Sequence, residues 1–405
     1  MLLWENKKKK FLNTLKLGIN PFRRFVATGE IKESLGVVPS REEFIEKISE
    51  NVCSNDNFIQ PIIGDVGIGK THLFWALKRK LSNKMNSIYL SLEQIYRKFY
   101  FNLYSEIIDE IGIEELRTIT RKLCERWGAN EKKFGFFRIA DIDNVRNNAW
   151  SELKDQFNQH RALRDVINII TAHQLDPYKR TEAEKVLLGE LLNVRELSLL
   201  GVHNDLRKKR NAYIMLRIII QNSELGNILF IDDFEKIIGI LNSDEETEEV
   251  FDSSWLYGSE QTPESIEAQK LIDRILELHK IEGLRILITL RSLDALEEIK
   301  ETISRKNEKL LLTFKEPFFL VGFQKEDIFY FYKKHMKQFF ERINISDYDE
   351  LLDSVYPLNK EILNKIHEKT NGNPREVIKA FIKIFNELAY YEGDPEGLGK
   401  EDFSF

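Results

Sequence analysis

Residues 64–71 read Gly64-Asp65-Val66-Gly67-Ile68-Gly69-Lys70-Thr71 and satisfy the pattern G-x-x-x-x-G-K-[ST] in full. The chemistry open to such a run is phosphate binding. Its glycines let the backbone turn N–H groups toward phosphate oxygens, and the N-terminus of a following helix adds a favourable dipole. Lys70 is placed to reach the β- and γ-phosphates of ATP, the Thr71 hydroxyl to ligate Mg2+, and His72 to lie in the first turn of that helix. Nucleotide chemistry with magnesium needs a further carboxylate, and the apolar run Ile228-Leu229-Phe230-Ile231 ends in Asp232-Asp233. Asp232 would hold the magnesium shell together with Thr71. Asp233 falls where a hydrolytic site orients or deprotonates the attacking water, but aspartate is one methylene shorter than the more usual glutamate. Turnover is therefore expected to be slow, or the task to pass to Glu235.

Two more runs end in polar groups. After Arg285-Ile286-Leu287-Ile288, Thr289 could hydrogen-bond the attacking water and Arg291 could sense phosphate charge; the alternative is a capped strand end with a surface arginine. In Gly372-Asn373-Pro374-Arg375-Glu376, Arg375 falls in the first turn of a helix, where a cation opposes the helix dipole unless an anion is near. It could reach a nucleotide from a C-terminal lid.

These side chains need a frame. Residues 58–63 are a short apolar run before the glycine loop, Leu73, Phe74, Leu77 and Leu81 follow at helical spacing, and Ser87-Ile88-Tyr89-Leu90 reads as a strand. Strand, loop, helix and strand predict an α/β unit with a parallel sheet. Pro61 has no N–H to give a ladder, so it is expected near the strand's start or at an irregularity. Upstream, Ser40 and Glu43 form a candidate capping box for a helix through Ile48. Residues 92–226 are almost wholly helical in pattern, with Leu92, Ile95, Phe99, Leu103, Ile107 and Ile111 in one stretch. Leu163, Val166, Ile167 and Ile170 make a second, and Val186, Leu187, Leu191 and Val194 a third. Such a length predicts a helical insertion with its own small core. Buried strands are expected at 227–232 and 284–290, a last strand at 318–321, an acidic surface excursion from Asp244 to about Pro263, and helices after Gly322.

The expected organisation is a basic N-terminal segment at 1–35, an ATPase core at 36–91 and 227–322, the insertion at 92–226, a helical lid at 323–392 and a tail at 393–405. With 42% hydrophobic residues, 31% charged residues, 20 Gly and 9 Pro in 405 residues, the chain is folded and helix-leaning rather than disordered. A net charge of −6 excludes a global cationic field, so nucleic acid could be held only by local patches. The candidates are Lys7 to Lys10 with Lys16, Arg23 and Arg24, and Arg207-Lys208-Lys209-Arg210; a solvated helix face is the alternative for both. Cys53 and Cys124 stand far apart, and no apolar run approaches the roughly 18 to 20 residues of a membrane span. A cytoplasmic protein with no membrane contact is expected.

The order of glycine loop, strand ending in two acids, strand ending in a polar residue and helical lid with Gly-Asn-Pro-Arg-Glu resembles the additional-strand P-loop ATPases. Within these it is similar to the AAA+ and signal-transduction ATPases related to archaeal and eukaryotic origin-recognition initiators. A less specific likeness is to the ATPase components of BREX-type antiphage systems, through Leu188-Gly189-Glu190, Leu200-Gly201-Val202 and Asp232-Asp233 followed by Glu235. The resemblance implies a P-loop core with a parallel sheet of the additional-strand type, a large helical insertion and an all-helical C-terminal lid, with ATP between core and lid. It also brings Arg41, in Pro39-Ser40-Arg41-Glu42-Glu43, near the adenine, although proline and serine replace the usual hydrophobic-glycine pair. It implies a homo-oligomer or hetero-complex in which a neighbouring subunit lends an arginine finger, best matched in position by Arg305. Relatives commonly add a winged helix for DNA after the lid, for which the residues beyond 392 are too few. The expected function is an ATP-dependent switch acting with double-stranded DNA or a DNA-bound protein complex. A signalling ATPase that binds only proteins, or a nucleotide-binding scaffold with little hydrolysis, competes with it.

Overall fold

The architecture is that of a computed structural model, which describes residues 2–22, 37–54, 57–91, 98–129, 141–237, 263–345 and 348–390. The expected acidic excursion after Asp244, the tail at 393–405, the positions of Leu92, Ile95, Arg23 and Arg24, and the break near Asp347 lie outside the described residues. In chain order the elements begin with α1 (Leu2–Lys16), α2 (Pro39–Val52), β1 (Ile59–Ile63), α3 (Lys70–Leu81) and β2 (Met85–Ser91). Next come α4 (Phe99–Cys124), α5 (Ile142–Leu153), α6 (His160–Leu175), α7 (Arg180–Leu187), α8 (Val194–Leu200), α9 (Lys209–Asn222) and β3 (Gly226–Asp232). Then follow α10 (Pro263–Leu278), β4 (Leu284–Leu290), α11 (Leu293–Asn307) and β5 (Phe318–Phe319). The series ends in α12 (Lys325–Arg342), α13 (Asp349–Asp353), α14 (Lys360–Thr370) and α15 (Pro374–Tyr390). Among the described residues no helix is long and apolar enough to cross a membrane.

The five strands form one all-parallel sheet in the order β2-β3-β4-β1-β5. Buried on both faces, β3 and β4 read as near-continuous apolar runs, which is what parallel strands require. Pro61 departs from expectation. It lies in the middle of β1, with β4 on one side and β5 on the other. Carbonyls carry much of the pairing there: Phe58 O accepts from Ile286 N at 3.1 Å and Ile59 O from Lys315 N at 2.9 Å. The Gln60 side-chain amide adds a bond to Glu316 O at 2.6 Å, so the strand holds its place around a residue that has no N–H to give.

Two compact units divide the chain differently from the expected domains. One comprises Met1–Asn51, Ile63–Lys80 and Phe319–Phe405, the other Val52–Ile62 and Leu81–Phe318. The insertion is thus not a body apart. Its helix α4 packs on β2 and on α9, in the same unit as β2, β3 and β4. The third apolar stretch of the insertion is two helices: Gly189, at φ 80°, follows α7, Asn193 caps α8 with a capping box, and Leu191 and Val194 are exposed.

In the other unit residues 2–22, the described part of the N-terminal segment, pack into the core of the lid. Phe11, Leu15 and Phe22 are buried in a core with Phe331, Tyr332, Phe340, Phe381 and Phe385. Phe22 stacks on Phe381 with ring centroids 4.6 Å apart, and Asn20 Nδ2 donates to Ile382 O at 3.0 Å. Helix α15 meets this core through Val377, Ala380, Phe381, Ile384, Phe385 and Leu388, spaced three and four apart as one helical face.

Candidate functional site: a phosphate loop and a hydroxyl-held carboxylate

The glycine loop joins β1 to α3. Gly67 and Gly69 adopt φ 80° and 100°, a region L side chains rarely enter, and a Cβ on Gly67 would come within 2.9 Å of Arg375 Cβ and of Asn373 Oδ1. The pattern therefore needs glycine there for backbone geometry and for close approach. Inside the loop, Val66 N donates to Asp65 Oδ1 at 2.6 Å and Ile68 N to Asp65 O at 3.3 Å. The first turn of α3, from Lys70 and Thr71, adds N–H groups that have no carbonyl four residues back within the helix. Lys70 is only 8% exposed, and its Nζ lies 2.7 Å from Gly64 O and 3.4 Å from Asp65 O. The ammonium is thus folded back on the start of its own loop, where an anion could draw it away.

His72 and Arg41 are neighbours of this loop. Burial holds His72 down to about 4, and the charges of Arg41 and Arg79 push the same way. Burial also lowers Arg41 to about 10, opposed by Asp327. Its guanidinium donates to Ile68 O at 3.2 Å and to Val321 O, and lies 5.8 Å from the Phe323 ring centroid. The capping box expected around Ser40 does not form: helix α2 already begins at Pro39, and the Ser40 hydroxyl donates to Asp327 Oδ2 at 2.5 Å. Arg375 has an exposed side chain, while its backbone N–H donates to Gly67 O at 3.3 Å. Asn373, which sequence reasoning did not single out, donates from Nδ2 to Val66 O at 2.9 Å.

In the second unit the parallel register builds a separate cluster. Tyr89 pairs with Phe230 and Ile231 with Ile288, so the period of two along each strand puts Tyr89, Asp232 and Thr289 on one face. Asp232 is 7% exposed. Its Oδ2 accepts from Tyr89 Oη at 2.8 Å and its Oδ1 from Thr289 Oγ1 at 2.5 Å. Thr289 therefore commits its hydroxyl proton to the carboxylate rather than to a water, and its oxygen in turn accepts from Asp233 N at 2.9 Å. Asp233 stands in the left-handed region at φ 50°, held there as Phe234 N bonds Thr289 O at 2.9 Å. Its carboxylate faces Lys236 at 3.4 Å.

Arg291, expected as a phosphate sensor, pairs through Nε with Glu235 Oε1 at 3.0 Å. That pairing neutralises the alternative catalytic carboxylate, which is only 13% exposed. Arg305 is exposed on α11 and pairs with Glu301 at 2.9 Å. Of the basic runs, Lys10 donates to Asn344 O at 2.9 Å and Arg207 is tied to Asp205 at 2.6 Å, whereas Lys208, Lys209 and Arg210 are exposed at the start of α9.

The chain matches no model of a known protein family and none of the curated proteins with which it was compared.

Proposed function

We propose that this chain binds and hydrolyses ATP and works as a nucleotide-driven switch. The observation that carries the reading is the loop at residues 64–71, with Gly67 and Gly69 at positive φ between a strand and the N-terminus of α3. The strand order supports the additional-strand type of P-loop ATPase, because β4 separates the loop-bearing β1 from the acid-bearing β3. In all-parallel strands the carboxyl ends share one edge, the edge where ligands of open α/β sheets gather.

In this reading Lys70 leaves Gly64 O for the β- and γ-phosphates. The Thr71 hydroxyl and the Asp232 carboxylate are hard oxygen donors of the kind that suit Mg2+, and the ion would neutralise charge on the phosphates. Tyr89 and Thr289 hold Asp232 in one orientation. Asp233 is the first candidate to orient the attacking water, because its carboxylate, though 3.4 Å from Lys236, is 37% exposed, whereas Glu235 is 13% exposed and paired with Arg291 at 3.0 Å. Arg375 faces solvent beside the loop and is free to turn toward a γ-phosphate, and Arg305 is proposed as the group lent to a neighbouring subunit.

For the partner we propose double-stranded DNA or a DNA-bound protein complex, through Lys208, Lys209 and Arg210, where the positive end of α9 adds to three exposed cations. Phosphate release from ATP tests the enzyme reading. Lys70→Ala and Asp232→Asn should each reduce it by about a hundredfold or more, and unchanged turnover in either variant rejects the assigned site.

A further inference from the structure

Three successive carbonyls of the phosphate loop are bonded from outside it. Val66 O accepts from Asn373 Nδ2 at 2.9 Å, Gly67 O from Arg375 N at 3.3 Å and Ile68 O from an Arg41 guanidinium nitrogen at 3.2 Å. In a planar trans peptide the C=O and the next N–H point in opposite directions. Fixing these carbonyls therefore fixes the N–H groups of Gly67, Ile68 and Gly69 on the other side, that of Ile68 on Asp65 O at 3.3 Å. Two of the three belong to the positive-φ glycines, whose freedom would otherwise let the peptide planes flip.

From this geometry we infer that Arg41 and Asn373 are positioning residues that brace the phosphate cradle from behind, holding the Gly67 and Gly69 N–H groups in place for an anion whether or not a nucleotide is bound. The inference rests on the phosphate reading of the loop. Each brace is itself anchored. Arg41 also bonds Val321 O and lies over Phe323, and Asn373 sits in the turn that opens α15, where its Oδ1 accepts from Arg375 N at 3.1 Å. The turn is seated closely enough that even a methyl group on Gly67 would collide with it.

A brace of this kind has a signature that a γ-phosphate sensor lacks. A sensor distinguishes ATP from ADP, whereas a cradle holding its N–H groups in place serves both. Lid position then governs affinity for either nucleotide, because moving the 372–375 turn releases two of the three carbonyls.

Two variants separate bracing from folding. Asn373→Ser keeps a good helix-capping oxygen but is too short to reach Val66 O. Arg41→Lys keeps the charge but offers one compact ammonium in place of a fork that spans Ile68 O and Val321 O. Backbone amide exchange of residues 66–69, measured on the full chain without nucleotide, should rise about three- to tenfold in each, the equilibrium worth of one hydrogen bond. ATP and ADP, titrated separately, should each bind more weakly by a similar factor. Unchanged exchange in both variants, or a loss confined to ATP, overturns the inference. If the wild-type chain binds neither nucleotide, the phosphate reading itself falls, and exchange still decides whether the two side chains hold the loop.

Discussion

Tyr89 on β2 donates its phenolic hydroxyl to Oδ2 of Asp232 on β3 across 2.8 Å, while Thr289 on β4 holds the other carboxylate oxygen at 2.5 Å. The two strands that flank β3 thus contribute one side chain each to a single buried acid. A carboxylate held on both oxygens cannot swing, which suits a group that must meet a hydrated cation in one orientation.

Removing one donor tests this. Tyr89→Phe deletes a hydrogen bond to an ionised acceptor, an interaction worth about 1.5–3 kcal/mol. A lower urea midpoint at unchanged slope is expected, together with a Mg2+ requirement for ATP binding raised about three- to tenfold. A midpoint and a magnesium dependence both equal to wild type would show that the hydroxyl neither stabilises nor orients Asp232.

Asp233 combines an αL backbone with a candidate catalytic carboxylate. Asparagine tolerates that backbone as aspartate does, so Asp233→Asn isolates chemistry from strain. Its thermal midpoint should stay near wild type while phosphate release falls by about a hundredfold. Asp233→Ala should lose activity and also about 1 kcal/mol of stability. Full turnover in Asp233→Asn would transfer the task to Glu235.

Phe22 tests the place of the N-terminal segment. It contacts the rings of Phe331, Tyr332, Phe381 and Phe385 and is fully buried. Phe22→Ala should cost about 3–5 kcal/mol in denaturant unfolding, the usual range for a core aromatic. A loss under 1 kcal/mol would mean that the segment merely rests on the lid.

Acid sensitivity follows from His72. Its folded value of about 4 lies below the roughly 6.5 of an unfolded imidazole, so between those values the unfolded chain binds a proton that the folded chain refuses. Its contribution is fully present above pH ~6.5 and is lost as pH falls toward about 4. Burial lowers His173 as well, in the same sense. His72→Gln should therefore flatten, without abolishing, the fall in thermal midpoint between pH 7 and 5. An unaltered slope would place His72 in water.

What could be read from the residues alone was local. The phosphate loop is a contiguous pattern whose glycines answer to backbone angles, and β3 and β4 announce themselves as apolar runs closed by Asp232 and Thr289. Tyr89 was hidden because its partner lies 143 residues away, and only the strand register brings the two together. Asn373 stood in a visible turn, yet nothing in the turn says which of its two polar ends will meet the loop. In α1 the lysines interleave with Phe11 and Leu15, one helical turn apart, and it is this apolar pair that is buried. Pro61 misled because a missing N–H matters only where a neighbouring strand needs it.

The central claim is that residues 64–71 hold the phosphates of ATP, and calorimetric titration of the full chain with ATP and Mg2+ tests it most directly. Saturable binding near one nucleotide per chain is expected in the wild type, with affinity lowered at least tenfold in Lys70→Ala at unchanged thermal stability. Equal binding by both proteins, or none by the wild type, would contradict it.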